Sequence, residues 1–405
     1  MIKPKAIIGG GITGLFTATL LHKNHIPYIL FEKDAKLGGR VQTDSRDNFL
    51  MDRGFQVLQS TYPDIQGNLD FSKLNLKYFP SGAKCLHKGE FIEFMNPFAN
   101  IFKFFEAVFS GLLKIRDLWA FFILALRLIG FSFNHERMSN ISTMEYLKKL
   151  GFSQTLIDSF FIPFFGGVFL DKSLSQPKEL FLFFMQEFLK GKISIPAKGM
   201  GEIANQLYEE LDSDAVKLNS LVKKVEKNKV WVGEEIHEVS EVIIATDLNV
   251  SAKLLEIELD EGSFGGCVNY YFSIEKGKFD SGILYLINKK ILHFSVISQV
   301  SRQYADENKD LISITTLGME YTDSEILEEF EKFFPEIKLE NKIGKYVLPN
   351  ALPKINSQKE LKKAADEKGI ILAGDYLLYP SLNACFQSGK YAFETIVKIR
   401  NFAKL

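Results

Sequence analysis

The 405-residue chain has few cysteines, nearly equal numbers of acidic and basic residues, and no histidines at metal-binding spacing. Each of these absences excludes a class of protein. Its three cysteines, Cys85, Cys267 and Cys385, are odd in number and far apart, which excludes a disulfide framework and a cysteine zinc cage. The 49 basic and 50 acidic residues nearly cancel, so nucleic acid is not an expected partner. The six histidines show no H-E-x-x-H or paired spacing, and we expect no metal site.

Long hydrophobic runs and hydrolase motifs are also missing. In the strongly apolar stretch 97–133, the longest uncharged run of the second half is Leu118 to Leu126, whereas a transmembrane helix needs about 20 apolar residues. Neither a G-x-S-x-G elbow nor a P-loop lysine motif occurs. Little sequence precedes the first predicted strand, which leaves no room for a secretion signal. We expect a cytoplasmic protein, with peripheral membrane attachment as the alternative.

The amino-terminal segment carries the strongest signal. A predicted strand, Ala6 to Ile8, runs into a G-x-G-x-x-G turn and a helix, an arrangement that presents backbone N–H groups to a pyrophosphate. A second predicted strand ends at Glu32, where a carboxylate can accept hydrogen bonds from ribose hydroxyls. This pattern predicts a dinucleotide site formed by Gly9, Gly11, Ile12, Thr13, Gly14, Glu32 and Lys33.

A Gly-Gly-Arg sequence follows the ribose acid. Gly38 and Gly39 allow the guanidinium of Arg40 to approach the phosphates. The whole stretch resembles the amino-terminal signature of the flavin-containing amine oxidase superfamily, which includes phytoene-desaturase-like proteins and protoporphyrinogen oxidase. The resemblance implies that the dinucleotide is FAD.

Later segments also resemble cofactor-binding parts of this superfamily, although the local pattern of several fits an ordinary strand or turn equally well. The strand and glycine turn around Gly54 resemble those beside the isoalloxazine ring, and a strand ending in Gly-Asp before a helix resembles the carboxy-terminal flavin motif. The resemblance implies contacts from Gly54, Phe55, Gln56 and Val57 at the ring, Val222 at the adenine, Ala245 and Thr246 at the ribose-pyrophosphate, and Gly374, Asp375, Ser381, Leu382, Asn383 and Ala384 in the carboxy-terminal motif.

These features predict an α/β protein of the amine oxidase / p-hydroxybenzoate hydroxylase-like fold. It would combine a Rossmann-type FAD-binding domain, containing the GxGxxG βαβ unit, with an α+β substrate domain made of an antiparallel sheet and a helical insert. We expect residues 1–80, 196–250 and 346–405 in the FAD-binding domain, and residues 81–195 and 251–345 in the substrate domain.

Phenylalanine is abundant, with 37 residues against 2 tryptophans, and many lie in 91–133 and 160–188. Two interpretations of 98–131 remain open: buried helices that line a core or cavity, or a helical pair with an apolar face in a membrane interface. We favour the buried interpretation, because the cationic residues are scattered along the stretch.

We therefore predict an FAD-dependent oxidoreductase that removes a hydride from a C–H bond of an apolar small molecule, similar to carotenoid-type desaturases or protoporphyrinogen oxidase. Catalytic residues and the electron acceptor are not identified by the sequence. Weak candidates are Asn269, Tyr271, Tyr285 and Tyr346, for each of which a structural role is the stronger interpretation.

Three alternatives stay open: an amine oxidase for a small amine, a redox-neutral carotenoid isomerase, and a membrane-associated binding protein that keeps FAD for folding alone. The run 267–273 lacks the lysine that many amine oxidases of the superfamily carry in a comparable strand, which disfavours the first.

Overall fold

A computed structural model describes residues 3–95, 100–260, 262–354 and 358–402. Residues 97, 98 and 99 of the predicted apolar stretch 97–133 lie outside the described residues. The strands are β1 (Lys5–Ile8), β2 (Tyr28–Phe31), β3 (Thr43–Arg46), β4 (Phe49–Asp52), β5 (Leu58–Gln59), β6 (Lys77–Tyr78), β7 (Ala83–His87), β8 (Glu90–Phe94), β9 (Ile193–Ile195), β10 (Val216–Lys217), β11 (Val222–Glu226), β12 (Lys229–Val232), β13 (Glu235–Glu238), β14 (Val242–Ile244), β15 (Phe264–Glu275), β16 (Leu284–Leu286), β17 (His293–Val296), β18 (Lys309–Thr316), β19 (Lys342–Pro353) and β20 (Ile371–Leu372).

The helices are α1 (Ile12–Lys23), α2 (Phe71–Leu74), α3 (Ile101–Phe109), α4 (Ile115–Ile129), α5 (Thr143–Leu150), α6 (Gln154–Leu156), α7 (Ile162–Phe169), α8 (Lys178–Lys190), α9 (Glu202–Glu209), α10 (Leu248–Leu255), α11 (Asp323–Phe333), α12 (Gln358–Lys368) and α13 (Leu382–Phe402). A π-helical turn, Ile157–Phe161, joins α6 to α7. Within the described residues, no helix is both long and apolar enough to span a membrane.

A parallel sheet with the strand order β10-β2-β1-β14-β20 forms one part of the molecule. Its central strands are short and fully buried, as is typical of parallel sheets covered by helices on both faces. Helix α1 connects β1 to β2 and packs against α13 and α9. The mixed α/β character expected from the sequence is therefore present.

A second sheet has the order β19-β15-β18-β17-β16-β7-β8, and its neighbours are antiparallel except for β16 and β7. One face packs on α11 through aromatic and aliphatic residues such as Tyr270 and Phe294. The opposite face turns toward the parallel-sheet part. Strand β19 pairs with β15 as far as Pro353, so this sheet extends past residue 345, where the sequence places a domain boundary. The division into two domains stays a prediction.

The Phe-rich segments form two helical regions with different burial. In α7 and α8, Phe165, Phe169 and Phe181 are fully buried, and the Phe165 ring contacts the rings of the other two. In α3 and α4, by contrast, Phe102 is 83% exposed and Phe109 is 85% exposed. Our expectation that this stretch is buried is wrong for the outer sides of both helices, because only a narrow stripe of each meets the rest of the protein.

Candidate functional site

The candidate site lies at one edge of the parallel sheet. Strands β1, β2, β14 and β20 run in the same direction, so their carboxyl ends meet at that edge. In open α/β sheets, ligands bind at this edge. The residues that follow these strands, Gly9, Glu32, Ala245 and Gly374, all belong to the segments that the sequence assigns to the cofactor.

The glycine turn is packed tightly on one side and open on the other. Gly9 has a φ of +105°, and a Cβ there would lie 2.8 Å from the carbonyl oxygen of Ala245 and 3.1 Å from Cγ2 of Thr246. A Cβ at Gly14 would clash with the carbonyl oxygen of Gly9. Gly11, however, would have no atom within 4 Å of an added Cβ. The free space beside Gly11, at the amino end of α1, fits a phosphate group that approaches the backbone closely.

Glu32 holds the turn through its carboxylate. Oε2 accepts a hydrogen bond from the Gly10 N–H at 2.7 Å, and Oε1 accepts one from the Asp34 N–H at 2.9 Å. The Glu32 carbonyl accepts a hydrogen bond from the N–H of Ser220 at 2.8 Å, which brings Val222, two residues later, to the same region. Lys33 is exposed.

The Gly-Gly-Arg segment lies directly against the glycine turn. The Gly38 N–H donates to the carbonyl of Gly10 at 2.8 Å, and a Cβ at Gly39 would lie 3.2 Å from Cα of Gly11. The Arg40 guanidinium donates to Oδ1 of Asp375 at 2.6 Å. Burial alone would lower the pKa of Arg40, but the carboxylate of Asp375 outweighs burial and raises it. This ion pair joins the amino-terminal Gly-Gly-Arg segment to the carboxy-terminal Gly-Asp motif.

The carboxy-terminal motif is held by short-range hydrogen bonds. The Gly374 N–H donates to Oγ of Ser388 at 2.8 Å, and Oγ of Ser381 accepts from the Ala384 N–H at 3.0 Å, just before Leu382 opens α13. The Asn383 side chain bonds to Asp64 and to the Tyr379 hydroxyl. Asn383 could therefore contribute its backbone to a cofactor, since its amide group is already occupied.

The turn at 54–57 bridges the two parts of the molecule. Gln56 Nε2 donates to the carbonyl of Arg40 at 2.8 Å, which ties the turn to the Gly-Gly-Arg segment. Gly54 has a φ of +99° and approaches Leu348 of the second sheet. Phe55 packs edge-on against Phe79, with ring centroids 5.9 Å apart. Val57 is half-buried.

A buried carboxylate precedes this turn. Burial raises the pKa of Asp52 to about 6, while hydrogen bonds from Thr43, Tyr304 and the Met200 N–H lower it in part. The backbone carbonyl of Asp52 accepts a hydrogen bond from the Tyr271 hydroxyl at 2.9 Å. Asp52 therefore fastens the turn to the second sheet and to the loop before α9. No motif in the sequence marks Asp52 as part of the site.

Three of the four candidate catalytic residues lie on the sheet face that turns toward this site. In the register of the sheet, Asn269 pairs with Tyr346 on one side and with Thr315 on the other. Tyr271 lies two residues along the same strand, so it shares that face. Tyr285 was also a candidate because its strand could face the flavin ring, and that expectation is wrong: Tyr285 packs among Phe279, Phe294 and Phe334 on the α11 face.

The polar groups of these three residues already have protein partners. The Asn269 amide bonds to the hydroxyls of Ser313 and Thr315, and the Tyr346 hydroxyl donates to Asp44 at 3.0 Å. Burial is the largest cause of the raised pKa of both Tyr271 and Tyr346, so both phenols stay protonated at neutral pH. A positioning role suits them better than proton transfer.

His293, one of the six histidines without metal-binding spacing, lies on the same face. Its ring packs edge-on against Phe55, with centroids 5.0 Å apart, and a Cβ at Gly167 of α7 would lie 2.8 Å from its Nε2. Nδ1 is buried without a hydrogen-bond partner among the described residues. Burial lowers the pKa of His293 to about 3, so the imidazole is neutral. His293 pairs with Thr315 of β18, which in turn pairs with Asn269 of β15, so His293 and Asn269 share a sheet face with one strand between them. This register is not visible in the sequence.

Comparisons with known proteins place this chain in the class of flavin-dependent oxidoreductases. Residues 12–396 match the family model described as flavin containing amine oxidoreductase, and the chain belongs to this family. FAD is accordingly its cofactor. The resemblance drawn from the sequence motifs is confirmed. No curated protein matches the sequence.

Solved structures share the fold along nearly the whole chain. An oxidoreductase from Methanosarcina mazei is 18% identical, with a TM-score of 0.75 over 96% of this chain and 100% of that one. A protein from Exiguobacterium sp. 255-15, provisionally assigned as a protoporphyrinogen oxidase, is 16% identical, with a TM-score of 0.70 over 97% and 98%. Putrescine oxidase bound to putrescine is 16% identical, with a TM-score of 0.71 over 98% and 99%. At these identities the likeness concerns the fold alone.

Proposed function

We propose that the parallel sheet and α1 form a Rossmann-type unit that holds FAD. The open side of Gly11, the amino end of α1 and the Arg40–Asp375 ion pair together provide a cradle suited to a pyrophosphate. Glu32 would face the ribose, with Val222, Ala245 and Thr246 lining the adenosine end. The turn at 54–57 and the residues that open α13 would hold the flavin end.

We further propose that the substrate is an apolar molecule that loses a hydride from a C–H bond. The observation that carries this proposal is the state of the two carboxylates, Asp44 and Asp52, that hold the chain leading into the turn at 54–57. Asp44 is bound by Arg53 and Tyr346, and Asp52 is bound by Thr43, Tyr304 and the Met200 N–H, so neither offers a free anion to an amine. The described side chains that do surround Phe55 are mostly apolar.

The reaction needs a hydride acceptor and an ordered substrate. When bound, FAD supplies the acceptor. The protein supplies the surroundings: the ring of Phe55 packs against Phe79 and against His293. Gly167 of α7 lies close to the His293 ring, and Tyr271 fixes the turn that ends β4. Positioning of the reacting carbon is the main contribution that such a site can make.

Anaerobic mixing tests the substrate class. The purified protein, loaded with FAD, would be mixed with polyenes, porphyrinogens and amines while the flavin absorbance is followed. We expect bleaching with a polyene or a porphyrinogen and none with putrescine or aromatic amines. Bleaching by amines alone would refute the proposal, and activity only after prior reduction of the flavin would instead indicate a redox-neutral isomerase.

The Glu32→Lys variant tests the cofactor cradle separately. A lysine cannot accept the hydrogen bonds from Gly10 and Asp34, and its charge replaces an acceptor near the predicted ribose position. We expect FAD affinity to fall by about 10-fold or more, measured by ultrafiltration and flavin fluorescence. Glu235→Lys, an identical charge change at an exposed position, is the control. Unchanged FAD occupancy in a folded Glu32→Lys protein would remove Glu32 from the cradle.

A further inference from the structure

Helices α3 and α4 expose a large apolar surface that no described residue covers. On α3 the exposed side chains recur at the spacing of one helix face, as they do on α4. The set comprises Phe102, Phe105, Phe109, Ile115, Leu118, Trp119, Phe122, Ile123, Leu126 and Ile129. Monomeric soluble proteins rarely expose so many large apolar side chains together, which marks these helices as an interaction surface.

Both helices are held to the protein by buried side chains on their inner faces, among them Ala107 of α3. Asn100 caps α3 through the N–H groups of Phe102 and Lys103. In α4 the buried residues Ala120, Leu124 and Leu128 form a narrow inner stripe. Phe121 packs against Phe152 with ring centroids 4.8 Å apart, in the aromatic layer that continues into α7.

The charges on α4 indicate what covers the surface. Lys114, Arg116 and Arg127 are exposed, and none of them forms an ion pair within the described residues. The one acidic residue of α4, Asp117, is buried, where it accepts hydrogen bonds from Lys114 and Ser153. The exposed side of α4 is thus apolar and cationic, with Trp119 65% exposed within it.

We infer that the outer faces of α3 and α4 bind an anionic lipid surface, with both helices lying along the membrane plane. Large apolar side chains combined with lysine, arginine and tryptophan are typical of helices that lie in the interface between headgroups and acyl chains. At 15 residues α4 is too short to span a bilayer, which agrees with a position in the interface. A second copy of the chain would fit less well, since a symmetric contact would bring the same unpaired cations together.

Vesicle flotation tests this inference in the FAD-loaded protein. Vesicles of phosphatidylcholine alone would be compared with vesicles of equal parts phosphatidylcholine and phosphatidylglycerol, at low and high salt. We expect flotation with the anionic vesicles, weakened by salt, because surface charges are screened. The triple variant Phe102→Ser, Phe109→Ser and Ile129→Ser should lose about 10-fold or more of the bound fraction.

A matched triple variant serves as the control. Ile236→Ser, Val347→Ser and Ile399→Ser remove exposed apolar side chains elsewhere, and we expect normal flotation. Because all six positions are exposed, both variants should fold, which circular dichroism and flavin content would verify. Wild type that stays unbound with either vesicle, or equal losses in both variants, would overturn the inference. A dimer in solution that the first variant dissociates would also overturn it, in favour of a second copy. The test does not depend on substrate turnover, so its outcome is separate from that of the proposed function.

Discussion

The two Phe-rich helical regions have similar compositions, but the phenylalanine rings of one are buried and those of the other are largely exposed. In α7 and α8 the ring of Phe165 contacts those of Phe169 and Phe181, and all three are buried in the core. In α3 and α4 most large apolar side chains face outward. The difference lies in how much of each helix is covered by neighbours. An apolar sequence therefore predicts that a helix needs a partner, whereas only the fold shows whether the partner belongs to the same chain.

The largest effect expected from this comparison is on stability. Phe165→Ala removes a fully buried ring and should lower the free energy of unfolding by about 3–5 kcal/mol. Phe109→Ala removes an 85% exposed ring, and its effect should stay within about 0.5 kcal/mol. Denaturant unfolding of both FAD-loaded variants measures the difference. Equal losses of unfolding free energy in the two variants would mean that the rings of Phe165 and Phe109 are equally buried.

A second prediction concerns His293, whose ring lies against α7, one of the two buried Phe-rich helices. The ordinary pKa of 6.5 applies in the unfolded chain, and burial lowers the pKa to about 3 in the folded protein. Between these values only the unfolded chain takes up the proton. Stability from this group is therefore complete above pH 6.5 and falls as the pH drops toward 3.

The His293→Phe variant isolates that contribution. Relative to the variant, wild type should lose about 2 kcal/mol of unfolding free energy when the pH falls from about 6.5 to about 5. Comparing wild type with a variant at each pH cancels the titration of Asp52 and other groups. His22→Phe, at an exposed histidine, should show no such change. A constant difference between wild type and His293→Phe would mean that His293 is not a buried neutral base.

The smallest effect comes from two adjacent glycines of α7. A Cβ at Gly167 would lie 2.8 Å from Nε2 of His293, while a Cβ at Gly166 would be 3.6 Å from its nearest neighbour, the carbonyl oxygen of Asp171. Gly167→Ala should cost about 1–2 kcal/mol of unfolding free energy, and Gly166→Ala should be neutral or slightly stabilising. Removing the ring with His293→Ala should reduce the cost of Gly167→Ala. No coupling between the two would place His293 away from α7.

Much of the cofactor region could be predicted from the sequence, because its signals are local. The strand, glycine turn and helix at Gly9 to Gly14 are encoded within a few residues, and Glu32 follows at a fixed spacing. Arg40 and Asp375 were assigned to one cofactor from separate motifs, and the structure brings them into contact, although their role in binding stays a prediction.

The rest depends on contacts between distant segments. Tyr271 and Tyr285 both lie on strands with similar local patterns, but the register of the sheet places them on opposite faces. His293 gains its surroundings from Phe55 and Gly167, which come from two other segments. The outer face of α4 is exposed because no element within the described residues covers it. The local sequence pattern does not predict this.

Flavin reduction by a polyene supplied in two forms tests the proposed substrate class together with the proposed lipid-binding surface. The FAD-loaded protein would be mixed anaerobically with the polyene in anionic vesicles and in detergent micelles, with putrescine in solution as the comparison. We expect bleaching by the polyene in both forms and none by putrescine, and we expect the Phe102→Ser, Phe109→Ser and Ile129→Ser variant to be slowed only in vesicles. Bleaching by putrescine and not by the polyene would contradict the proposed substrate class.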